Sequence, residues 1–236
     1  MAKKRPKHNP KKINPPGKYH GGKAYLCRRL IELHPPAEKY NKHVEPFGGL
    51  ASVKLNLPVA TRESPRVDIY NDIDGRLYNL FDTLQKEPRR LQELLALTPY
   101  SEEMFEDACN EHIYRISSFT EQARMMFVRL QMSLGGRGES FSRTKSRTRR
   151  GIADCVSGYL SKIHKDLPEI AEAVTEWQLE KRDGLECIKY HDSPTTMFYL
   201  DPPYLPETRT SADVYVNEMT PEQHEELLQY KGEFRP

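Results

Sequence analysis

The tetrapeptide Asp201-Pro202-Pro203-Tyr204 is the segment best suited to chemistry, and it directly follows the apolar run Met197-Phe198-Tyr199-Leu200. Proline has no N–H and a fixed φ, so a strand formed by that run must stop and pass into a rigid extended loop. Asp201 and Tyr204 then project from the carboxyl end of a sheet strand, where open α/β sheets place their ligands. A carboxylate, an exposed main-chain carbonyl and a flat aromatic face together suit one task, gripping a planar base that carries an amino group. A strand followed by a proline turn with an acidic cap accounts for the tetrapeptide equally well when it is taken alone. The rest of the chain decides between the two.

Three further sites belong at the same edge. Glu45-Pro46 closes a short strand predicted over 42–46, and Phe47-Gly48-Gly49 turns from it into a helix predicted from about Leu50. The glycines let a ligand approach the backbone, and a helix start offers free N–H groups. Asn71-Asp72 ends a second strand, over 66–70, where a carboxylate commonly takes ribose hydroxyls. Tyr19-His20-Gly21-Gly22-Lys23 lies upstream. Singly these read as a tight turn, a cap and a surface lysine; in this order, with Asp-Pro-Pro-Tyr, they read as one site.

The elements that must position them are legible in the periodicity. Residues 24–33 have helical spacing and stop at His34-Pro35-Pro36; residues 74–84 put Leu77, Leu80, Phe81 and Leu84 on one helix face. Strand, helix, strand, helix is the rhythm of a parallel sheet. Residues 86–175 differ: helices over 91–97, 101–114, 120–132, 152–163 and 168–179, with no strand pattern between them. Within this stretch Gly135-Gly136-Arg137-Gly138 opens a basic Ser/Thr/Arg segment that runs to Arg150. The sheet returns over 177–180 and 196–200, so the helical stretch reads as an insertion between two parts of a sheet domain. No internal repeat is visible.

With 236 residues and a net charge of +2, the chain is large enough for a substantial core and nearly neutral overall. The sign is unevenly spread, however. No acidic residue lies between Lys3 and Arg29, and a second basic block holds Arg137, Arg143, Lys145, Arg147, Arg149 and Arg150. Local basic blocks indicate a polyanion partner better than net charge does; a solvated, disordered tail is the preferred reading for the first dozen residues, with disorder expected over 1–17. The four cysteines form no C-x-x-C pair, which argues against a zinc ribbon or a disulfide framework and fits a reducing cytoplasm. The eight histidines show no H-E-x-x-H and no close carboxylate partner, so no metal site is assigned. An apolar leader and any run of membrane-spanning length are missing.

On these residues the sequence resembles the Dam-type DNA adenine-N6 methyltransferases, in the group whose target-recognition insert precedes Asp-Pro-Pro-Tyr. The likeness runs from about Lys18 to Tyr230. It is similar most to phage and prophage members, which carry a Gly/Ser/Arg-rich segment like 135–151 inside the insert. The resemblance implies an α/β fold, a Rossmann-like S-adenosylmethionine-dependent methyltransferase sheet with an inserted, mainly helical target-recognition domain. The catalytic domain would be 18–85 and 176–236, and the insert 86–175. S-adenosyl-L-methionine is the implied cofactor, and double-stranded DNA with a flipped adenine the implied partner, for a cytoplasmic monomer without metal.

The resemblance also assigns roles. Asp201, Pro202, Pro203 and Tyr204 match the catalytic motif. Tyr19 and Lys23 match Y/W-x-G-G-K, which lines the cofactor and target-base pocket. Glu45, Pro46, Phe47 and Gly49 match E-P-F-x-G, the cradle of the methionine moiety, with Leu50-Ala51 standing where many relatives have a further glycine. Asp72 matches the acid on the ribose, Ile73 lies against the adenine, and Asp183 matches the acid for the adenine amino group. Arg137, Arg143, Lys145, Arg147, Arg149 and Arg150 are expected to bind DNA, with the division between base and phosphate contacts left open. Relatives continue past Tyr230 into another core strand and a closing hairpin, so the C-terminal strands are expected to be missing. A truncated, inactive DNA- or cofactor-binding remnant is therefore the alternative function. Amino-methyltransferases acting on cytosine, RNA or protein glutamine form a third reading; they favour Asn or Ser at the position of Asp201 and lack the long insert.

Overall fold

The structure, a computed structural model, describes residues 12–18, 21–136, 138–204 and 218–233. Within these, strands β1 (Lys42–Glu45) and β2 (Val67–Asn71) are joined by β5 (Trp177–Glu180) and β6 (Thr196–Phe198) in a sheet of order β5-β2-β1-β6. Strands β3 (Thr148–Arg149) and β4 (Ile152–Ala153) form a separate antiparallel hairpin. All pairings in the four-stranded sheet are parallel, so every carboxyl end lies along one edge. The expected Rossmann-like α/β arrangement is present.

Strand alternation decides what each face carries. Val44 and Ile69 are buried together with Cys187 on one face, while His43 and Glu45 lie opposite Asp68 and Tyr70 on the other. A parallel sheet is covered on both sides. Helices α1 (Cys27–Glu32) and α2 (Gly75–Lys86) precede the helical stretch of α3 (Pro88–Ala96), α4 (Glu102–Cys109), α5 (Glu111–Ile116), α6 (Phe119–Met132), α7 (Asp154–Ser161) and α8 (Leu167–Val174). A π-helical segment, Lys162–Asp166, links the last two. After β5 come α9 (Gly184–His191) and α10 (Pro221–Glu233), which bury Leu185, Ile188 and Leu227 together beside Phe198.

One continuous core runs from Tyr70, Leu77 and Phe81 through Phe127 and Val128 to Ile170, Val174 and Trp177. Each of these fully buried side chains contributes on the order of 1.5–3 kcal/mol. The helices of 86–175 are therefore packed into the sheet's own core by α6 and α8 against α2.

Several expectations fail locally, each for a visible reason. The predicted helix over 101–114 is two helices, because Asn110 breaks it and its side chain accepts from His112 and Ile113 N–H as a cap. The helical pattern over 168–179 ends at Val174, and Trp177 opens β5. The stretch read as strand-free contains the β3–β4 hairpin, closed by Arg150 (φ 55) and Gly151 (φ 80); positive φ at both positions is what a type I′ turn requires. No helix starts at Leu50. Gly49 (φ 51) and Ala51 (φ 53) turn the chain left-handed there, and only a 3₁₀ segment, Lys54–Asn56, follows. Disorder to residue 17 is corrected as well. Ile13 exchanges main-chain bonds with the Asn56 side chain (3.0 and 2.9 Å), and Lys162 donates to the Pro15 carbonyl at 2.9 Å. Residues 1–11 lie outside the described residues. No described helix is long and apolar enough to cross a membrane.

Candidate active site

The carboxyl edge of the sheet opens into a cleft of about 360 Å³. Its walls include Gly21 to Lys23, Glu45 to Leu50, Asp72 to Asp74, Asp183, Tyr199, Asp201 and Pro203. Residues 178 positions apart thus meet: Lys23 Nζ donates to both oxygens of Asp201, at 2.6 and 2.8 Å. The same ammonium donates to the Gly21 carbonyl at 2.7 Å and sits 5.2 Å from the centroid of the Tyr204 ring. Burial works against its charge, but the bonds with Asp201 and Tyr204 outweigh that and hold its pKa above the usual lysine value. Tyr204 itself is 46% exposed, standing at the mouth of the cleft.

Glu45 ends β1 inside the protein, 1% exposed, with no hydrogen-bond partner on Oε1. Burial pushes its carboxyl up to about 8. The carboxyl has a Lys54 main-chain hydrogen bond and the Lys54 charge nearby, but leaving one buried oxygen without a partner is costly unless a ligand donates to it. Asp72, one residue past β2, accepts from Gly49 N–H (2.7 Å) on one oxygen and Asp74 N–H (2.8 Å) on the other. Burial nevertheless raises its carboxyl to about 6. Gly48 is obligatory for a steric reason: a Cβ there would collide with the Tyr70 ring. Ala51, in the Leu50-Ala51 pair expected to stand where many relatives have a further glycine, occupies the left-handed region that glycine favours.

Asp183 caps α9, its Oδ1 accepting from Leu185 and Glu186 N–H (2.9 and 3.2 Å), while its side chain borders the cleft beside Phe47, whose ring covers Gly184. Ile73 is half exposed on the cleft wall, which Pro46 also lines. Thus Lys23, Glu45, Pro46, Phe47, Gly49, Asp72, Ile73, Asp183, Asp201 and Pro203 come together, with Pro202 and Tyr204 adjoining. Tyr19 and Arg137 lie outside the described residues.

The expected DNA-binding residues are elsewhere, around the β3–β4 hairpin, and are not equivalent. Arg149 Nε lies 2.7 Å and Arg147 Nε 3.5 Å from oxygens of Asp154, and Arg143 pairs with Glu102. Lys145 and Arg150 have no ion-pair partner among the described residues.

Sequence reading missed two features. Asn71 was read as a strand end, yet its buried side chain donates to the Pro46 (2.8 Å) and Arg182 (3.1 Å) carbonyls and accepts from Arg182 N–H (2.8 Å). It clamps two cleft loops together, and its position beside the flagged acid was the available signal. Beneath Glu45 lies a buried network: Lys54 Nζ is 3.0 Å from His43 Nδ1 and 3.3 Å from Asp68, which Arg66 grips through Nε and one terminal nitrogen. Burial, reinforced by the Lys54 charge, drives the His43 pKa well below normal, so a neutral ring accepts from Lys54. The view that no histidine has a carboxylate partner is also corrected. His191 Nε2 lies 3.0 Å from Glu180, 11 residues away, with Cys187 in the same group of ligand atoms within 4.8 Å. Strand alternation, His43 two residues before Glu45, was the only hint of the network.

A parallel sheet whose carboxyl edge gathers acids, a glycine turn and an Asp-Pro-Pro-Tyr loop around one cleft has the arrangement of a small-ligand site in an open α/β protein. The profile of the D12 class N6 adenine-specific DNA methyltransferases matches residues 19–232, and the chain belongs to that family. It is also 26% identical over 208 residues to the Type II methyltransferase M1.LlaDCHI of Lactococcus lactis subsp. cremoris, which covers 85% of this chain and 69% of that protein. Its reaction is the methylation of adenine N6 in DNA.

Proposed function

We propose that the chain takes its methyl group from S-adenosyl-L-methionine and delivers it to an adenine flipped out of double-stranded DNA into the Lys23–Asp201 pocket. One observation carries this reading: Asp201 lines the same cleft as Glu45 and Asp72, so acceptor and donor groups have a common chamber. The fit to the donor is supported by size, since about 360 Å³ lies within the range of small-molecule sites. It is supported too by the unpartnered Glu45 oxygen, which offers an anion to a positively charged ligand. The donor supplies an electrophilic methyl group on a sulfonium centre.

Asp72 and Asp183 are the acids suited to hydroxyl and amino groups of the donor, with Ile73 and Phe47 against its flat ring and Gly49 under its chain. Asp201 and the Pro202 carbonyl accept the two N–H hydrogens of adenine N6. That localises a lone pair otherwise delocalised into the ring and aims it at the methyl carbon. Lys23 holds both Asp201 oxygens; the incoming amino group takes over one bond, and the three ammonium donors let Lys23 keep the other. Tyr204 stacks on the base, a contact worth about 1–3 kcal/mol. The methylated nitrogen is acidic and releases its proton without a strong base, so positioning and electrostatics supply most of the rate.

Flipping costs roughly a few kcal/mol, which phosphate contacts from 86–175 offset, above all from Arg143, Lys145, Arg147, Arg149 and Arg150. Residues 18–85 and 176–236 form the catalytic part, and the chain works as a cytoplasmic monomer. Kinship with a Type II methyltransferase supports a place in restriction–modification. The test is incubation with methyl-labelled S-adenosylmethionine and unmethylated duplex DNA, followed by digestion to nucleosides. Label in N6-methyl-2′-deoxyadenosine supports the reading. Unlabelled DNA that still binds the chain favours the inactive remnant, and label in N4-methylcytosine refutes the assignment.

A further inference from the structure

We propose that Glu180, Cys187 and His191 form a binding site for a divalent transition-metal ion of the zinc type. Their ligand atoms, a carboxylate oxygen, a sulfur and a ring nitrogen, all lie within 4.8 Å of one another. None of the three residues lines the donor cleft. The fold gathers them from two elements. Glu180 ends β5, two residues beyond Gln178, which pairs with Ile69, so it faces the same side of the sheet as Ile69. Cys187 and His191 stand four residues apart in α9, a spacing that puts both on one helix face. That face lies on the sheet, where Cys187 packs with Val44 and Ile69. Cys187 is fully buried, His191 is 5% exposed, and the Glu180 side chain is 16% exposed.

A buried cysteine is commonly no more than a small apolar residue, and a histidine beside a glutamate no more than a hydrogen-bonded pair. Here the two coincide, with nearly the spacing a metal needs. His191 Nε2 already lies 3.0 Å from Glu180 Oε1. Bonds to zinc of about 2.0–2.3 Å in a tetrahedron set ligand atoms about 3.3–3.6 Å apart, so the sulfur has only about 1 Å to travel. No hydrogen bond among the described residues holds that sulfur in place. The other Glu180 oxygen is buried without a hydrogen bond, but the Arg182 guanidinium lies 3.1 Å from it and stacks on the Tyr190 ring at 4.3 Å. A neighbour of this kind orients a ligating carboxylate. Burial pushes the Cys187 thiol up to about 12, so the ion itself displaces the thiol proton. Thiolate and carboxylate then balance a divalent charge. One nitrogen, one sulfur and one oxygen suit zinc; magnesium and calcium require oxygen shells. Water completes the tetrahedron. The ion ties the end of β5 to α9 across the loop that carries Arg182 and Asp183, and its role is to brace that loop.

The test uses the full chain without an affinity tag, stripped with a chelator and titrated with Co²⁺ as a coloured stand-in for Zn²⁺. One Co²⁺ per chain should bind with a thiolate-to-cobalt charge-transfer band, and Zn²⁺ should displace it. At a hundredfold excess over its Kd, Zn²⁺ should raise Tm by about 5–10 °C, whereas Mg²⁺ should leave it unchanged. Cys187→Ser should lose both the band and the gain in Tm. Cys155→Ser, altered at a cysteine outside the cluster, should keep both. Should Cys187→Ser fail to fold, His191→Gln makes the same comparison and should weaken Co²⁺ binding at least about tenfold. No band in the native chain, a band that survives Cys187→Ser, or native affinity in His191→Gln overturns the proposal. An equal rise in Tm with Mg²⁺ overturns it as well.

Discussion

Glu45 concentrates the physics of the cleft in one side chain. Its carboxyl is raised from 4.5 to about 8 by burial, so the ligand-free protein holds it protonated at neutral pH. A cationic donor favours the ionised form, and binding must then expel a proton. Donor affinity, measured by calorimetry, should weaken by up to about tenfold for each pH unit below 8. The same shift has a consequence for stability with a definite sign. The unfolded glutamate ionises near 4.5 while the folded one waits until about 8, so stability from this group is complete below 4.5 and declines up to 8. Glu45→Gln removes that decline: its Tm should gain on the native chain as pH rises toward 8, although it binds the donor poorly. A Tm difference that does not vary with pH contradicts this account of Glu45. The sequence identified the residue through its motif but held no sign of its burial, which outweighs the Lys54 charge and the Lys54 main-chain hydrogen bond that act on it.

At the scale of elements, the cleft depends on how strand ends are tied to each other. Asn71 joins the loop after β1 to the loop after β5 through three hydrogen bonds. Asn71→Ala leaves those buried main-chain groups unpaired and should cost roughly 2–3 kcal/mol in urea denaturation. Donor affinity should fall with it, since Pro46 and Arg182 both flank cleft residues. Native stability and affinity in that variant contradict the clamp. The strands themselves were legible: Pro46 and Asn71-Asp72 mark the ends of β1 and β2 to within a residue, whereas β6 stops at Phe198, four residues before Pro202. Failures came where a local conformation overrides periodicity. Ala51 in the left-handed region aborts the helix expected from Leu50, and Asn110 splits a continuous amphipathic pattern by capping its second half. The β3–β4 hairpin escaped notice because two-residue strands carry too little alternation to register.

Across the whole molecule, charge arrangement matters more than the net value of +2. The basic segment is partly neutralised by its own neighbours, Asp154 beneath Arg147 and Arg149, and Glu102 beside Arg143. Lys145 and Arg150 have no such partner among the described residues, and in the proposed reading they are the ones that release counterions from DNA. Replacing either with Ala should lower the slope of log affinity against log salt by about 1, and Arg143→Ala should lower it by less. Equal slopes for all three variants contradict this division. Why the same scaffold serves both polymer and small ligand follows from the shared core, which fastens α6 and the turn after it to the sheet that holds the cleft. The measurement that bears most directly on the account compares Asp201→Ala with Asp72→Ala for donor binding and for methyl transfer to duplex DNA. Asp201→Ala should bind the donor about as well as the native chain yet transfer at least about a hundredfold more slowly, and Asp72→Ala should lose donor affinity itself. Near-native transfer by Asp201→Ala would contradict the central claim.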